Sequence, residues 1–241
     1  MKSKLKQWIE RLSGCRIYRD TLPHGTDLFK DMARVVPPET CRIVFDIGSH
    51  RGQSIVDYLS AFPHAQIHGF EPSNESFQAL EDMFRLEPRV QVHRTAISNN
   101  DGEAVLYLKP ADSTHSLIQE TNSVGSERVK ILTLDSVCSA GDLRQIDFCK
   151  IDTEGNDLNV LRGATELLRH QRISFVQVET STRQDVTYFC RLQEIEQFLA
   201  GFGYELFGFY DQQPCWSGRH SLLYFNAVFI SSALVGPMPP M

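Results

Sequence analysis

After Pro37-Pro38 the chain settles into an alternation that few folds can satisfy: a short apolar run, then an amphipathic segment, then another apolar run. "RIVFDI" leads to "GQSIVDYLSAF" and "QIHGFE" to "NESFQALEDMFRL", after which comes "VQVHRTAI". Further on, "IDFCKID" leads to "NDLNVLRGATELLRH" and "ISFVQVET" to "LQEIEQFLAGF". The apolar runs are rich in Val, Ile and Phe and barely alternate in polarity, as strands covered on both faces do. The segments between them carry apolar residues at helical spacing. Strands and helices in regular alternation imply an α/β fold, a mostly parallel sheet with helices on both faces.

Two stretches depart from this rhythm. Between residues 99 and 134, "NNDG" is followed by "EAVLYLK" and then "RVKILTLD", which predicts extra strands or a hairpin inserted between the third and fourth core strands. The chain closes with "GYELFGFY" and "LLYFNAVFI", two strand-like runs joined without a helix. Such a pair is most simply an antiparallel hairpin on the sheet edge.

The 241 residues suffice for one domain with an appendage. The divisions expected are residues 1–40 as an N-terminal helical extension and candidate substrate lid, 41–231 as the α/β domain, and 232–241 as a flexible Pro-rich tail. A net charge of −6 argues against nucleic acid as a partner. The six cysteines form no C-x-x-C pair, which suits reduced thiols and a cytoplasmic protein. No apolar run approaches the ~20 residues that span a bilayer. Leu5, Trp8, Ile9 and Leu12 share one face of a predicted N-terminal helix, with Lys2, Lys4, Lys6 and Arg11 around them. Residues 1–12 could lie on a membrane surface; so short a stripe favours packing on the domain or over a cleft. No feature specifies an oligomeric state.

In an open α/β sheet, ligands bind at the carboxyl ends of the strands. Asp46, Glu71, Ala96, Asp152 and Glu179 all fall at or near those ends. Gly48 and Gly52 remove side chains where the first loop turns and its helix begins, so that a ligand can lie against the backbone. The loop reads G-x-x-x-G, not the G-x-G-x-x-G of a pyrophosphate loop, and no Walker-type Lys follows. Glu71 lies 25 residues after Asp46, where a carboxylate can accept both hydroxyls of a ribose. Ribose without pyrophosphate points to S-adenosylmethionine.

At this point the sequence resembles the FkbM family of S-adenosylmethionine-dependent methyltransferases. The resemblance rests on "VFDIGSHRGQS", "FEPSNESFQAL", "TAISNNDGEAVLY", "ILTLDS", "KIDTEGNDLNVLRGA", "VQVET" and "YFNAVFI", in that order, with "GTDLFKDMARV" upstream. It implies the class I methyltransferase (Rossmann-like) fold. It also implies methyl transfer to a hydroxyl oxygen of a sugar, polyketide or similar small-molecule acceptor, with S-adenosylhomocysteine as product. Carried onto this chain, Asp46 with Gly48, Ser49, His50, Gly52, Gln53 and Ser54 would face the methionine and ribose. Glu71 would hold the ribose hydroxyls, Ala96 and Ile97 would flank the adenine, and Asp152 would lie near the cofactor's amino end. The family more often has Ala-Asn where this chain has Ser49-His50.

An alcohol benefits from a general base. The candidates are Glu179, Asp152, Glu154 and His115. Glu179 is placed best, because acceptors sit near the fourth and fifth strand ends in this fold. Glu154 could equally cap the following helix, and His115 could be an ordinary loop residue. Mg²⁺ held by Asp152, Glu154 and Glu179 is an option that nothing in the sequence requires. Tyr18, Phe29, Tyr188, Tyr210 and Trp216 could stack on a substrate ring, although each alone reads as core. The competing readings are a non-catalytic scaffold, an N-methyltransferase and a nicotinamide-dependent oxidoreductase. The first would have no need for Asp46, Gly48, Gly52 and Glu71 together. The last lacks a third loop glycine.

Overall fold

The first core strand is β1 (Ile43–Ile47), every residue of which after Ile43 is buried. It lies at the centre of the sheet between β2 (Gln66–Phe70) and β7 (Ile146–Ile151), parallel to both. The computed structural model describes residues 2–15, 18, 22–110, 115–119, 123–186, 188–215 and 220–236; Trp216 lies outside them. β3 (Val90–His93) extends the sheet beyond β2, and β8 (Ile173–Ser181) extends it beyond β7, both in parallel. The long hairpin of β10 (Tyr204–Cys215) and β11 (Ser221–Ser231) then closes the edge, with β11 antiparallel to β8. The spatial order β10-β11-β8-β7-β1-β2-β3 is the mostly parallel sheet with an antiparallel C-terminal hairpin expected from the sequence. A two-residue strand, β9 (Cys190–Arg191), also pairs with β8.

Side chains alternate between two cores. Val44, Phe148 and Phe175 face the layer that holds α2 (Leu28–Met32), α3 (Gln53–Ala61) and α4 (Asn74–Phe84). Phe45, Cys149 and Val176 face the layer that holds α5 (Leu134–Ala140), α6 (Asp157–Arg162), α7 (Thr165–Arg169) and α8 (Leu192–Ala200). The period of two in a strand therefore sorts each residue to a layer.

The structure departs from the expected elements in three places. "VQVHRTAI" is not one strand: β3 stops at His93, and Ala96–Ile97 form a separate β4 that pairs with β6 (Gly125–Leu132). With β5 (Gly102–Leu108), antiparallel to β6, this makes a second, three-stranded sheet with its own small core around Leu106, Val129 and Ile131. "NDLNVLRGATELLRH" breaks after Arg162 into α6 and α7 at Gly163, whose carbonyl accepts from the Asp135 N–H at 3.0 Å and where a Cβ would lie 2.0 Å from the Ser98 carbonyl oxygen.

The third departure is at the N-terminus. α1 (Lys2–Ser13) forms, but Trp8 and Leu12 are 61% and 68% exposed, so the expected packing of its apolar face on the domain is not seen for these two residues. The segment that does join the core is the next one, where Met32 is buried beside α3 and Asp31 accepts a hydrogen bond from Tyr210 Oη at 3.0 Å. No described helix is long and apolar enough to cross a membrane.

Candidate active site

The strand ends of β1, β2, β4 and β7 surround a cleft with about 550 Å³ of unfilled space, counting its open mouth. Gly48, His50, Glu71, Ala96, Ile97, His115, Asp152 and Glu154 line it, so eight of the candidate residues meet on one wall or another. Phe70, Leu106 and Leu117 make an apolar slot beside Ala96 and Ile97. Asn156 fixes that slot by donating from Nδ2 to the Ile97 carbonyl at 3.0 Å. Leu106, Leu117 and Asn156, none of them singled out in the sequence, come from the insertion at residues 99–134 and the turn before α6.

Glu71 ends β2, and its carboxylate is tied on both sides. Oε2 accepts from the His50 backbone N–H at 2.9 Å and Oε1 from the Ser73 N–H at 2.8 Å. Each oxygen keeps lone-pair capacity toward the cleft. Burial pushes the Glu71 carboxyl up to about 7 in spite of these bonds. His50 adopts φ +48, and this bent backbone aims its N–H at Glu71.

The glycines answer to the protein before any ligand. A Cβ on Gly48 would stand 1.8 Å from the Asp152 carbonyl oxygen, and its φ is +85. A Cβ on Gly52, at φ +86, would meet Phe84 and Leu80 of α4. Both glycines let backbone and helices close up around the loop, a reason additional to ligand approach. Ser49 is buried beneath the loop, its Oγ donating to the Asp46 carbonyl at 2.7 Å. Gln53 is exposed and lines no cavity described here, whereas Ser54 opens onto a different one.

Asp46 is wholly buried, and neither carboxylate oxygen has a hydrogen-bond donor among the described residues. Its nearest charge partner is the Lys150 ammonium, 3.8 Å from Oδ1. Burial pushes the Asp46 carboxyl up to about 6. Lys150 Nζ lies 3.0 Å from Asp152 Oδ2. Burial works against its charge, but Asp152 and Asp46 outweigh burial and hold Lys150 well above the usual lysine range. The sequence reading missed Lys150. The signal was available, because a charged residue between Cys149 and Ile151 in a buried strand is rare unless paired.

Of the four base candidates, Glu179 lies at the end of β8 opposite Asn226 of β11. Burial, reinforced by the charges of Asp152 and Glu154, pushes it up to about 8. His115 Nδ1 accepts the Lys109 backbone N–H at 3.1 Å, which puts the ring proton of a neutral imidazole on Nε2. Glu154 has φ +53 and does not cap the helix: α6 starts at Asp157 with Asn156 as its N-cap. Asp157 instead accepts from Thr153 N and Oγ1 at 2.8 and 2.7 Å, bracing the turn that carries Glu154. Among the described residues no group of three or more His, Cys, Asp or Glu side chains is arranged to hold a metal.

The family description "Methyltransferase FkbM domain" matches residues 46–206. The chain is 29% identical over 140 residues to the hexuronic acid methyltransferase AglP of Haloferax volcanii, covering 57% of this chain and 55% of that protein. It is 28% identical over 159 residues to the 2-O-methyltransferase NoeI of Sinorhizobium fredii, covering 59% of this chain and 64% of that one. The matched regions thus span less than two thirds of the length of these relatives. Among solved structures, the precorrin-6y C5,15-methyltransferase from Geobacter metallireducens superposes with a TM-score of 0.46 at 10% identity, over 85% of this chain and 86% of that chain.

Proposed function

The chain belongs to the FkbM methyltransferase family, and from that premise we propose that it is an S-adenosylmethionine-dependent O-methyltransferase acting on a hydroxylated small molecule. The observation that carries this reading is the excess of negative charge at one cleft. Glu71, Asp152 and Glu154 line it, and the buried Asp46 lies next to its Ile47–Gly48 wall, with the Lys150 ammonium shared between Asp46 and Asp152. Buried carboxylates without full compensation are costly, and a cationic ligand relieves that cost. A sulfonium with an α-ammonium supplies such charge. The donor brings an already activated methyl group when bound.

The chain's own residues then have distinct tasks. Glu71 accepts from vicinal hydroxyls while the His50 and Ser73 N–H groups keep its plane fixed. The Phe70, Ile97, Leu106 and Leu117 slot takes an aromatic base. Glu179 would take the proton that the acceptor hydroxyl gives up on methylation. Its raised position near 8 matches a base that must exchange a proton close to neutral pH. The names of the two relatives, a hexuronic acid methyltransferase and a 2-O-methyltransferase, support a sugar-like acceptor.

Calorimetric titration with S-adenosylmethionine, S-adenosylhomocysteine and NADH tests the cofactor. The expected result is micromolar binding of the first two, none of the third, and loss of both in Glu71→Ala. Absence of binding by folded wild-type protein sinks the enzyme reading and promotes a scaffold role.

A further inference from the structure

Behind the donor cleft lies a second cavity, with about 730 Å³ of unfilled space counting its mouth. It sits between the Thr26–Phe29 segment, the first turns of α3, and the central strands β7, β8, β10 and β11. One ion pair divides the two spaces: Asp152 lines the cleft, Lys150 lines the cavity, and the two are 3.0 Å apart. Gln177 lies beside Lys150 on the neighbouring strand, in direct register with it. Gln177 is only 5% exposed, yet among the described residues its amide makes no hydrogen bond to protein. Its two donors and one acceptor face the open cavity, where a ligand or water can satisfy them.

The walls have a definite charge pattern. Lys150 and Gln177 form the floor. Asp27, Asp57 and Asp211 stand at the exposed rim. Asp27 is paired with Lys30 at 2.9 Å, and Asp211 accepts from Asn226 Nδ2 at 2.9 Å. Asp57 has no hydrogen bond or ion pair among the described residues. The Lys150 charge is already shared between Asp152 and Asp46. The cavity is therefore net negative, with amide, hydroxyl and carboxylate groups at several angles.

We propose that this cavity is the acceptor subsite and that it takes an uncharged or amino-bearing polyhydroxyl compound in preference to one carrying a carboxylate. The inference rests on the donor reading above and names the substrate class for the same reaction centre. An in-line displacement needs the attacking oxygen on the side of the methyl carbon opposite the sulfur. A polyol reaching across from Lys150 and Gln177 approaches the cleft from its own side of the Lys150–Asp152 pair. Glu179 shares the sheet face of Gln177, two residues further along β8, and is near enough to Asp152 and Glu154 for their charges to act on it.

The probes are methyl glucoside, methyl glucosaminide and methyl glucuronoside. Each is followed by saturation-transfer NMR on the full chain, without donor and with S-adenosylhomocysteine. The first two should bind, and Gln177→Leu should weaken them at least fivefold while S-adenosylhomocysteine affinity stays within twofold. Asp57→Lys, at an exposed position, should shift preference toward the glucuronoside. The proposal falls if wild type prefers the glucuronoside, or if none of the three binds. It falls too if Gln177→Leu weakens S-adenosylhomocysteine tenfold, since the cavity would then hold the methionine end. Glycoside binding without S-adenosylhomocysteine binding would sink the methyltransferase reading and leave the polyol site standing. The reverse pattern would sink the polyol site alone.

Discussion

The two spaces on either side of the Lys150–Asp152 pair are built in opposite ways. In the donor cleft three polar side chains are tied to nearby backbone: Glu71 to His50 and Ser73, Asn156 to Ile97, Ser116 to the Glu154 carbonyl at 2.8 Å. In the second cavity the floor amide of Gln177 is left without a protein partner. A donor common to many reactions suits a prefixed site, whereas an acceptor supplies part of its own site's hydrogen bonding. Substitutions in the cleft should therefore damage structure and binding together, and those in the cavity should separate them.

The largest effect expected is at Gly48. Its Cβ position is filled by the Asp152 carbonyl, and its φ of +85 disfavours any side chain. Gly48→Ala should cost about 4 kcal/mol or more, lowering the melting temperature by roughly 10 °C, and should abolish donor binding. Calorimetric unfolding checks it. A variant as stable as wild type would mean that the loop can move away from Asp152, and the contrast between a rigid cleft and an open cavity would fail.

Next in size is Glu179→Gln. Losing a general base costs on the order of 10²–10⁴ in rate. S-adenosylhomocysteine affinity should be unchanged, because Glu179 does not line the cleft. The wild-type rate should climb toward a plateau as pH rises through about 8, where Glu179 loses its proton, and that limb should vanish in the variant. If donor affinity falls with the rate, Glu179 belongs to the cleft instead.

What could be read from the chain alone follows the same division. Asp46, Gly48, Glu71 and Asp152 were legible because each lies at a strand end, and strand ends follow from hydrophobic pattern. The C-terminal hairpin was legible for the same reason. Lys150, Gln177 and Asn226 were not, since their association depends on which strands are neighbours and in what register. Periodicity shows that Lys150 and Asp152 share a face, and that Gln177 and Glu179 do. It does not show that Lys150 stands opposite both Asp46 and Gln177. The split of residues 90–97 between two sheets escaped similarly: β4 is only two residues long, and its partner β6 begins 28 residues later.

A smaller effect separates the cationic donor from its neutral-sulfur product. Burial raises Asp46 to about 6 and Glu71 to about 7, so the folded protein holds their protons more tightly than the unfolded chain does. Their stabilising contribution is therefore full below the ordinary carboxyl range and is lost as pH rises through 6 to 7. A bound cation favours the ionised forms. S-adenosylmethionine should thus release protons on binding and tighten about tenfold between pH 5.5 and 7.5, with S-adenosylhomocysteine changing less. Titration in buffers of differing ionisation enthalpy measures the release. Equal pH dependence for the two ligands would remove the sulfonium from the vicinity of these acids.

The smallest expected effect is the most discriminating between the two spaces. Removing an amide that no protein group partners should leave stability unchanged or raise it by up to about 1 kcal/mol, so Gln177→Leu should melt at or slightly above the wild-type temperature. Glu71→Gln, which replaces an acceptor serving two backbone N–H groups with an amide, should melt lower by a similar amount. A stabilised Gln177→Leu with weakened acceptor binding would mark that floor as structure held ready for a ligand, at a cost to the fold. A destabilised one would show that Gln177 serves the fold, and the cavity would then be no more open than the cleft beside it.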